Sequence, residues 1–273
     1  MNKVASILPK KIFSVIFFIA ILSTLAAHEF WLSPQKFIYT RGEKINIRFF
    51  SGENFEGQNW KGNKEKIQSL KIYYGGVEDD LSEYIGNTPG DSLSLTMLDE
   101  GTNLIAYNST NTFIEIQADK FNEYLTEDGL TDAIDYRKKN NETDSAGREF
   151  YQRCAKTIIQ VGSIKTNTFS EDSDLPLEII PVSNPYQLKL KDTFHVKLFF
   201  QKEPLKNSLV KIWHRENKNS ITIELTTDEN GTISFPVKTS GNWMISTVKM
   251  IRLENDPKVQ WQSYWGSLTW GYQ

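Results

Sequence analysis

The segment FHVKLFFQ (Phe194–Gln201) carries the clearest strand pattern of the chain. Successive side chains of a β-strand point to opposite faces, so Phe194, Val196 and Leu198 form one apolar face. Turn signals such as DENG at 228–231 separate further segments with this two-residue period, which follow at 210–213, 221–226, 233–237 and 243–251. Consecutive hairpins with consistent faces predict a small antiparallel β-sandwich over residues 177–273.

Residues 28–116 show a similar but less regular strand pattern. Lys44–Phe49 alternates apolar and polar side chains, and further short candidates between turn signals are 69–74, 92–98, 103–107 and 113–116. Glycines between 52 and 62 indicate an irregular loop around Phe55 and Trp60. Several short strands at this spacing predict a second sandwich.

The period of the apolar residues becomes helical at Asp119. Phe121, Tyr124 and Leu125 fit one helix face, and Gly129 ends the helix. A second short helix follows it. These segments interrupt the strand pattern and predict a helical insertion.

A third helix is predicted from Ser145, because Phe150, Cys154 and Ile158 lie four residues apart. The fold class that follows is mainly β, with two antiparallel β-sandwich-like modules and a short helical insertion at about 119–158. Cys154 is interpreted as a small core residue of this insertion rather than as a reactive thiol.

The predicted domains are an N-terminal β-rich domain with the helical segment, residues 28–168, and a C-terminal β-sandwich, residues 177–273. The polar stretch FSEDSD at 169–174 is interpreted as the linker between them.

Residues 1–27 carry the pattern of a cleavable signal peptide. Lys3, Lys10 and Lys11 precede the apolar run IFSVIFFIAIL, and small residues end the segment. The apolar run is shorter than the roughly 20 residues that span a bilayer, so we expect cleavage, after Ala27 or after Ala26. The expected location is periplasmic, with no stable membrane insertion after cleavage.

The charge of the chain argues against nucleic-acid binding. Loss of the three leader lysines lowers the net charge from −3 to −6, and no basic stripe remains. The single cysteine excludes an internal disulfide and CxxC sites.

The chain carries no recognisable catalytic motif. A nucleophile elbow, a phosphate loop, a dinucleotide fingerprint and a paired-histidine zinc helix are all missing from the sequence. Neighbouring carboxylates such as Glu127 and Asp128 are interpreted as solvated. His195 is predicted to face solvent and His214 the inner side of a strand. We therefore expect a protein without enzymatic activity.

His28 is the candidate metal ligand, because cleavage places it at the new N-terminus. With His28 first, its α-amine and imidazole can chelate one ion. With Ala27 first, the amine, the intervening amide nitrogen and the imidazole can do so. Nitrogen ligands of this type favour Ni(II) or Cu(II), and Glu29 can add an oxygen. A terminus without function is the competing interpretation.

Several motifs occur in an order that resembles a bacterial family of unknown function, number 4198. The motifs are HEFWLSP (His28–Pro34), FNEYLTEDGL (Phe121–Leu130), GREFYQR (Gly147–Arg153), LEIIP (Leu177–Pro181), NPY (Asn184–Tyr186), TDENG (Thr227–Gly231), GNWM (Gly241–Met244) and WQSYWGSLT (Trp261–Thr269). The resemblance spans essentially the whole chain after the leader.

This resemblance implies a periplasmic protein with a C-terminal module like the carboxypeptidase regulatory domain. It also implies a role in nickel or cobalt uptake beside a membrane metal transporter, through the N-terminal histidine carried over onto His28. The chain departs from the family at Lys249, where a histidine is common. If that histidine is a second ligand, lysine is a poor substitute, because it is protonated near neutral pH.

A second hypothesis is a metal-free module that binds a protein or a glycan at the cell envelope. It rests on the aromatic content, notably Trp261, Trp265 and Trp270 near the end of the chain. Ordinary packing of these rings within a sheet is the competing interpretation.

Overall fold

The computed structural model describes residues 28–254 and 256–273, so the predicted signal peptide at 1–27 lies outside the described residues. Within the described ranges the chain forms eighteen strands and two α-helices. Neither of these two helices has the length and apolar character that crossing a membrane requires.

The elements are numbered in chain order. The strands are β1 (Glu29–Pro34), β2 (Ile38–Tyr39), β3 (Lys44–Glu53), β4 (Glu56–Asn59), β5 (Ile67–Tyr74), β6 (Val77–Asp80), β7 (Leu93–Thr96), β8 (Gly101–Ser109), β9 (Thr112–Ile116), β10 (Gly147–Val161), β11 (Leu177–Pro181), β12 (Thr193–Phe200), β13 (Glu203–Pro204), β14 (Leu209–Glu216), β15 (Asn219–Thr226), β16 (Thr232–Pro236), β17 (Asn242–Arg252) and β18 (Trp261–Gly271). The helices are α1 (Ala118–Glu127) and α2 (Thr131–Lys139).

Two small sheets pack against a ten-stranded sheet. The large sheet runs β15-β14-β17-β18-β10-β8-β5-β6, with β2 and β9 also paired to β10. One small sheet runs β1-β3-β4 with β7 beside β3, and the other runs β11-β12-β13 with β16 beside β12. Most strand pairs are antiparallel, whereas β10 pairs in parallel with β18 and β2. The mainly β, sandwich-like class is confirmed.

The two small sheets lie on opposite faces of the large sheet. Leu104 and Ile158 belong to the core that contains Val196 of β12, whereas their neighbours Ile105 and Ile159 belong to the core that contains the residues of β1 and β3. Adjacent residues of a strand point to opposite faces, so the central sheet has an apolar core on each side.

Strands of both predicted domains share the large sheet. The parallel pair of β10 with β18 joins them, for example Glu149 opposite Trp261. The domain boundaries at 168 and 177 stay a prediction.

The helical insertion is confirmed at α1 and α2, and α1 buries Phe121, Tyr124 and Leu125 as predicted. The third helix is wrong, because residues 147–161 form β10, the longest strand of the described chain. Residues four apart share one face of a strand as well as one face of a helix, so the spacing of Cys154 and Ile158 fits both structures.

Cys154 is a core residue, as predicted, and is 1% exposed. Burial raises the pKa of its thiol to about 12, so the thiolate that would react is not formed near neutral pH.

A tight hairpin replaces the loop predicted around Phe55. Strands β3 and β4 pair antiparallel, and the turn between them consists of Asn54 and Phe55, with φ of 54° and 57°. Two successive positive φ values are typical of the turn that matches the twist of a two-residue hairpin. The hairpin forms one wall of the site described below.

A buried ion pair connects β10 to β11. The Lys156 ammonium donates to Glu178 Oε1, and their side chains are 1% and 5% exposed. Glu178 also accepts hydrogen bonds from Ser173 Oγ at 2.7 Å and from the Leu175 N–H at 3.0 Å. The carboxylate therefore has partners on both oxygens, which a buried charge requires.

Candidate functional site

The pairing of β1 with β3 determines the surroundings of His28. Glu29 lies opposite Gly52 in this antiparallel register, so one further step brings His28 opposite Glu53. His28 Nδ1 is 3.1 Å from Glu53 Oε1, and the two side chains are 36% and 56% exposed. This contact has the distance of an ion pair but not the geometry of a hydrogen bond, and Nδ1 has no hydrogen-bond partner among the described residues.

His28 and Glu53 border an open groove of about 990 Å³, here called the N-terminal groove. The β3–β4 hairpin and Trp60 line the groove together with Tyr107, Tyr151 and Arg153. A volume of this size is typical of sites that take small molecules.

The C-terminal half of the chain holds the hairpin wall in place. The Phe55 ring packs on Trp31, with 5.6 Å between centroids, in a cluster that includes Trp213 and Met244. Arg215 Nη1 donates to the Phe55 carbonyl at 2.8 Å. A left-handed conformation is unusual for a residue as bulky as phenylalanine, so these contacts hold it there.

Glu29 has different neighbours from His28. Glu29 Oε1 is 4.0 Å from Lys211 Nζ, which donates at 2.7 Å to Asp128 Oδ1. The Asp128 side chain is 10% exposed, so its interpretation as solvated is wrong. A cavity of about 10 Å³ beside these three residues has room for about one water.

Burial raises the pKa of Glu29 to about 7, against the opposing effect of the Lys211 charge. The two predicted ligands therefore differ in environment: the His28 ring borders the groove, and the Glu29 carboxyl lies in a buried ion-pair network. The carboxylate that the structure brings to His28 is Glu53, which sequence reasoning missed.

The side chains alone do not form a closed metal centre. Among residues 28–254 and 256–273, no group of three His, Cys, Asp or Glu side chains is placed to hold one ion. The pair of His28 and Glu53 fits a metal only if further ligands come from outside this set, such as the α-amine of a cleaved N-terminus or water.

The other two histidines lie where the sequence predicted. His195 is exposed, with Nδ1 2.6 Å from Ser234 Oγ. His214 is buried, its ring 4.3 Å from that of Trp243 and its Nε2 3.0 Å from the Ser240 carbonyl oxygen. Neither histidine contacts the N-terminal groove.

Lys249 lies near the helical insertion. Its ammonium is 3.5 Å from Asp132 Oδ2, a residue of α2.

The three C-terminal tryptophans are packing residues. Trp261, Trp265 and Trp270 are all buried, and Trp265 stacks on Tyr124 with 5.6 Å between centroids. The interpretation of these rings as ordinary sheet packing is confirmed, so none of them offers a free face to a partner.

Glu149 is a further group with a strongly shifted pKa. It lies on β10 beneath the helices, where Ser263 Oγ is 3.2 Å from Oε1 while Oε2 has no hydrogen-bond partner among the described residues. Burial raises its pKa to about 8, so the carboxyl is mostly protonated at neutral pH.

This shift predicts a pH-dependent stability. Between the ordinary pKa of 4.5 and about 8, the folded state keeps a proton that the unfolded state has lost. The free energy of unfolding should therefore fall as pH rises through this window, by at most about 1.4 kcal/mol per pH unit from this group. Glu149→Gln removes the titration, so the variant should gain stability over the parent as pH rises from 5 to 8. Urea unfolding at several pH values measures this, and parallel curves for parent and variant would contradict it.

Comparison with known proteins gives one family and a set of distant structures. The family model described as "Domain of unknown function (DUF4198)" matches residues 25–250. No curated protein matches the chain.

Among solved structures, bovine butyrophilin is 10% identical, with 88% of this chain and 98% of that chain covered and a TM-score of 0.21. A DUF3823 family protein from Bacteroides uniformis is 10% identical, with 89% and 98% covered and a TM-score of 0.21. A Salmonella alpha-2-macroglobulin is 11% identical at a TM-score of 0.22, and the match covers 89% of this chain but only 15% of that chain. Similarity this distant carries no argument about function.

Proposed function

The chain belongs to the DUF4198 family, and we propose that it is a periplasmic, non-enzymatic accessory protein that binds Ni(II), Co(II) or Cu(II) at its mature N-terminus and passes the ion to a membrane transporter. The observation that carries the proposal is the 3.1 Å approach of His28 Nδ1 to Glu53 Oε1 at the rim of an open groove. The metal is cargo in this proposal, not a structural component of the fold.

The donor atoms suit a late first-row metal. If cleavage leaves His28 first, its α-amine and Nδ1 close a six-membered chelate ring, and Glu53 adds an oxygen. If Ala27 comes first, the amine, the His28 amide nitrogen and Nδ1 supply three nitrogens. Such nitrogen-rich sets bind Cu(II) and Ni(II) more tightly than Co(II). The amine has a pKa of roughly 8, so metal can displace its proton at neutral pH.

The openness of the groove supports a role in transfer. Structural metal sites are closed, with four protein ligands in the usual zinc case. Here two side chains approach each other at the rim of a groove of about 990 Å³, which leaves room for water or a second protein's ligand. An ion held this way can be handed on without unfolding the protein.

Titration of the purified mature protein with each metal tests the proposal. We expect His28→Ala to weaken Ni(II) binding by about a hundredfold, because loss of a chelating ligand removes about 3 kcal/mol or more. Glu53→Gln should weaken it by about tenfold, because the amide is a poorer ligand than the carboxylate. His195→Ala is the matched control, since His195 is exposed and lies outside the groove.

Unchanged affinity in His28→Ala would refute the N-terminal site. Mass spectrometry of the mature N-terminus decides which residue carries the free α-amine. If the exported protein still carries an intact leader, neither Ala27 nor His28 has a free α-amine, and the proposed chelate cannot form.

The alternative function is a metal-free module that binds a protein or a glycan at the envelope. Burial of Trp261, Trp265 and Trp270 takes away the aromatic surface on which this alternative first rested. It would be favoured if the mature protein bound no metal and a defined envelope component were recovered with it.

A further inference from the structure

Three arginines of the described chain lie against aromatic rings, and two of them have acceptors within the protein. Arg137 packs on Phe121, and it donates to Asn122 Oδ1 at 3.1 Å and to two backbone carbonyls. Arg252 packs on Tyr136 and Trp261, and both of its terminal nitrogens are 3.0 Å from the carboxylate oxygens of Glu142. The guanidinium groups of Arg137 and Arg252 therefore both have hydrogen-bond acceptors within the protein, as buried charged groups require.

Arg153 is the third arginine that packs on aromatic rings, and it differs from the other two in its polar contacts. Its Cζ lies 4.6 Å from the Phe30 ring centroid and 5.2 Å from that of Tyr151. Within residues 28–254 and 256–273, its guanidinium has no ion pair and no hydrogen bond to protein, and the residue lines the N-terminal groove. The Arg153 side chain is half-buried, and this burial lowers the pKa of its guanidinium. Five N–H donors held at a groove wall leave a site for an acceptor from outside the chain.

Charged side chains of both signs line the groove, and the positive ones are in excess. The two carboxylates that line the groove each lie near a basic residue, since Glu53 Oε1 is 3.1 Å from His28 Nδ1 and Glu56 Oε1 is 3.1 Å from Arg215 Nη2. Lys61 and Lys66, which also line the groove, have no ion pair within the described part of the chain. The uncompensated charge in the groove is therefore positive, and it attracts an anion.

We infer that the N-terminal groove binds a carboxylate-bearing small molecule through the guanidinium of Arg153. The planar fork of arginine matches a carboxylate by two parallel hydrogen bonds, and the rings of Phe30 and Tyr151 hold its plane in place. A molecule with a second or third carboxylate gains from Lys61 and Lys66. The site does not need the metal of the proposed function, so the two proposals can fail separately.

Calorimetric titration of metal-stripped mature protein with citrate and succinate, in a buffer without carboxylates or chelators, tests the inference. We expect one citrate site, with weaker binding of succinate and of inorganic phosphate. Arg153→Gln should weaken citrate binding by roughly tenfold or more, the loss that removal of charge-assisted hydrogen bonds predicts. Arg153→Lys keeps the charge but not the fork, and it should also bind citrate more weakly than the parent.

Arg148→Gln is the matched control, because Arg148 is half-buried on the same strand but lies outside the groove lining, and it should bind citrate as the parent does. Circular dichroism confirms that each variant is folded. The inference is overturned if the folded parent binds no citrate, if Arg153→Gln and Arg153→Lys both bind it as tightly as the parent, or if phosphate binds as tightly as citrate.

Discussion

Replacement of Glu178 by Ala is expected to lower the free energy of unfolding by about 3–5 kcal/mol, because it leaves Lys156 buried without a counter-charge. The Lys156 side chain is 1% exposed between β10 and β11, so its ammonium cannot reach water without displacing the core around it. The change also leaves Ser173 Oγ and the Leu175 N–H without the acceptor that both use. Urea unfolding followed by circular dichroism measures the loss.

An exposed ion pair provides the control for this experiment. Glu123 contacts Lys120 on the surface of α1 at 2.7 Å, and Glu123→Ala should leave the unfolding midpoint unchanged, because exposed pairs contribute little. The double change Lys156→Met with Glu178→Leu should recover part of the loss, since it removes both charges. A loss below about 1 kcal/mol in Glu178→Ala would mean that Lys156 finds another partner or water.

Trp270→Ala is expected to lower the free energy of unfolding by about 3–5 kcal/mol, the usual range for deleting a buried aromatic side chain. The Trp270 ring is fully buried on β18 and lies parallel to that of Trp243, with 5.7 Å between centroids. It also meets Phe194 edge to face at 5.2 Å. These rings are part of the core between β12 and the large sheet, so their loss opens a cavity that the neighbours cannot fill.

A second variant, Trp270→Phe, distinguishes the effect of lost side-chain volume from the effect of a lost hydrogen bond. The indole N–H of Trp270 has no hydrogen-bond partner among the described residues, so Trp270→Phe loses volume but no hydrogen bond. We expect this variant to lose only about 1–2 kcal/mol. If Trp270→Ala were as stable as the parent but lost binding to an envelope component, the ring would be a contact residue and the packing assignment would be wrong.

The sequence predicted most of the strands, because half-buried strands repeat their apolar residues every second position. Residues 194–200 show this, since Phe194, Val196 and Leu198 are all fully buried on β12. It failed at 147–161, where residues 154–161 are buried on both faces of the strand and show no alternation that would identify it. Cys154 and Ile158 lie on one face in either structure, so their spacing could not decide between helix and strand.

The same error hid part of the candidate site. His28 could be predicted as a candidate ligand because that hypothesis depends only on its position after the predicted signal peptide. Glu53 was not, because its contact with His28 arises from the register of β1 with β3, which no local pattern reports. Arg153 lay inside the third predicted helix, so the sequence could not place it on the strand face that borders the groove.

The position of β18 in the large sheet also determines when folding of that sheet can be completed. This strand, Trp261–Gly271, is the last strand of the described chain, and it lies between β17 and β10 in the large sheet. A nascent chain that emerges N-terminus first has therefore made β10 long before its partner exists. Until then one edge of β10 is an open template for pairing with other chains. Closing a loop of this length also slows folding, so this edge of β10 stays unpaired until residues 261–271 reach it.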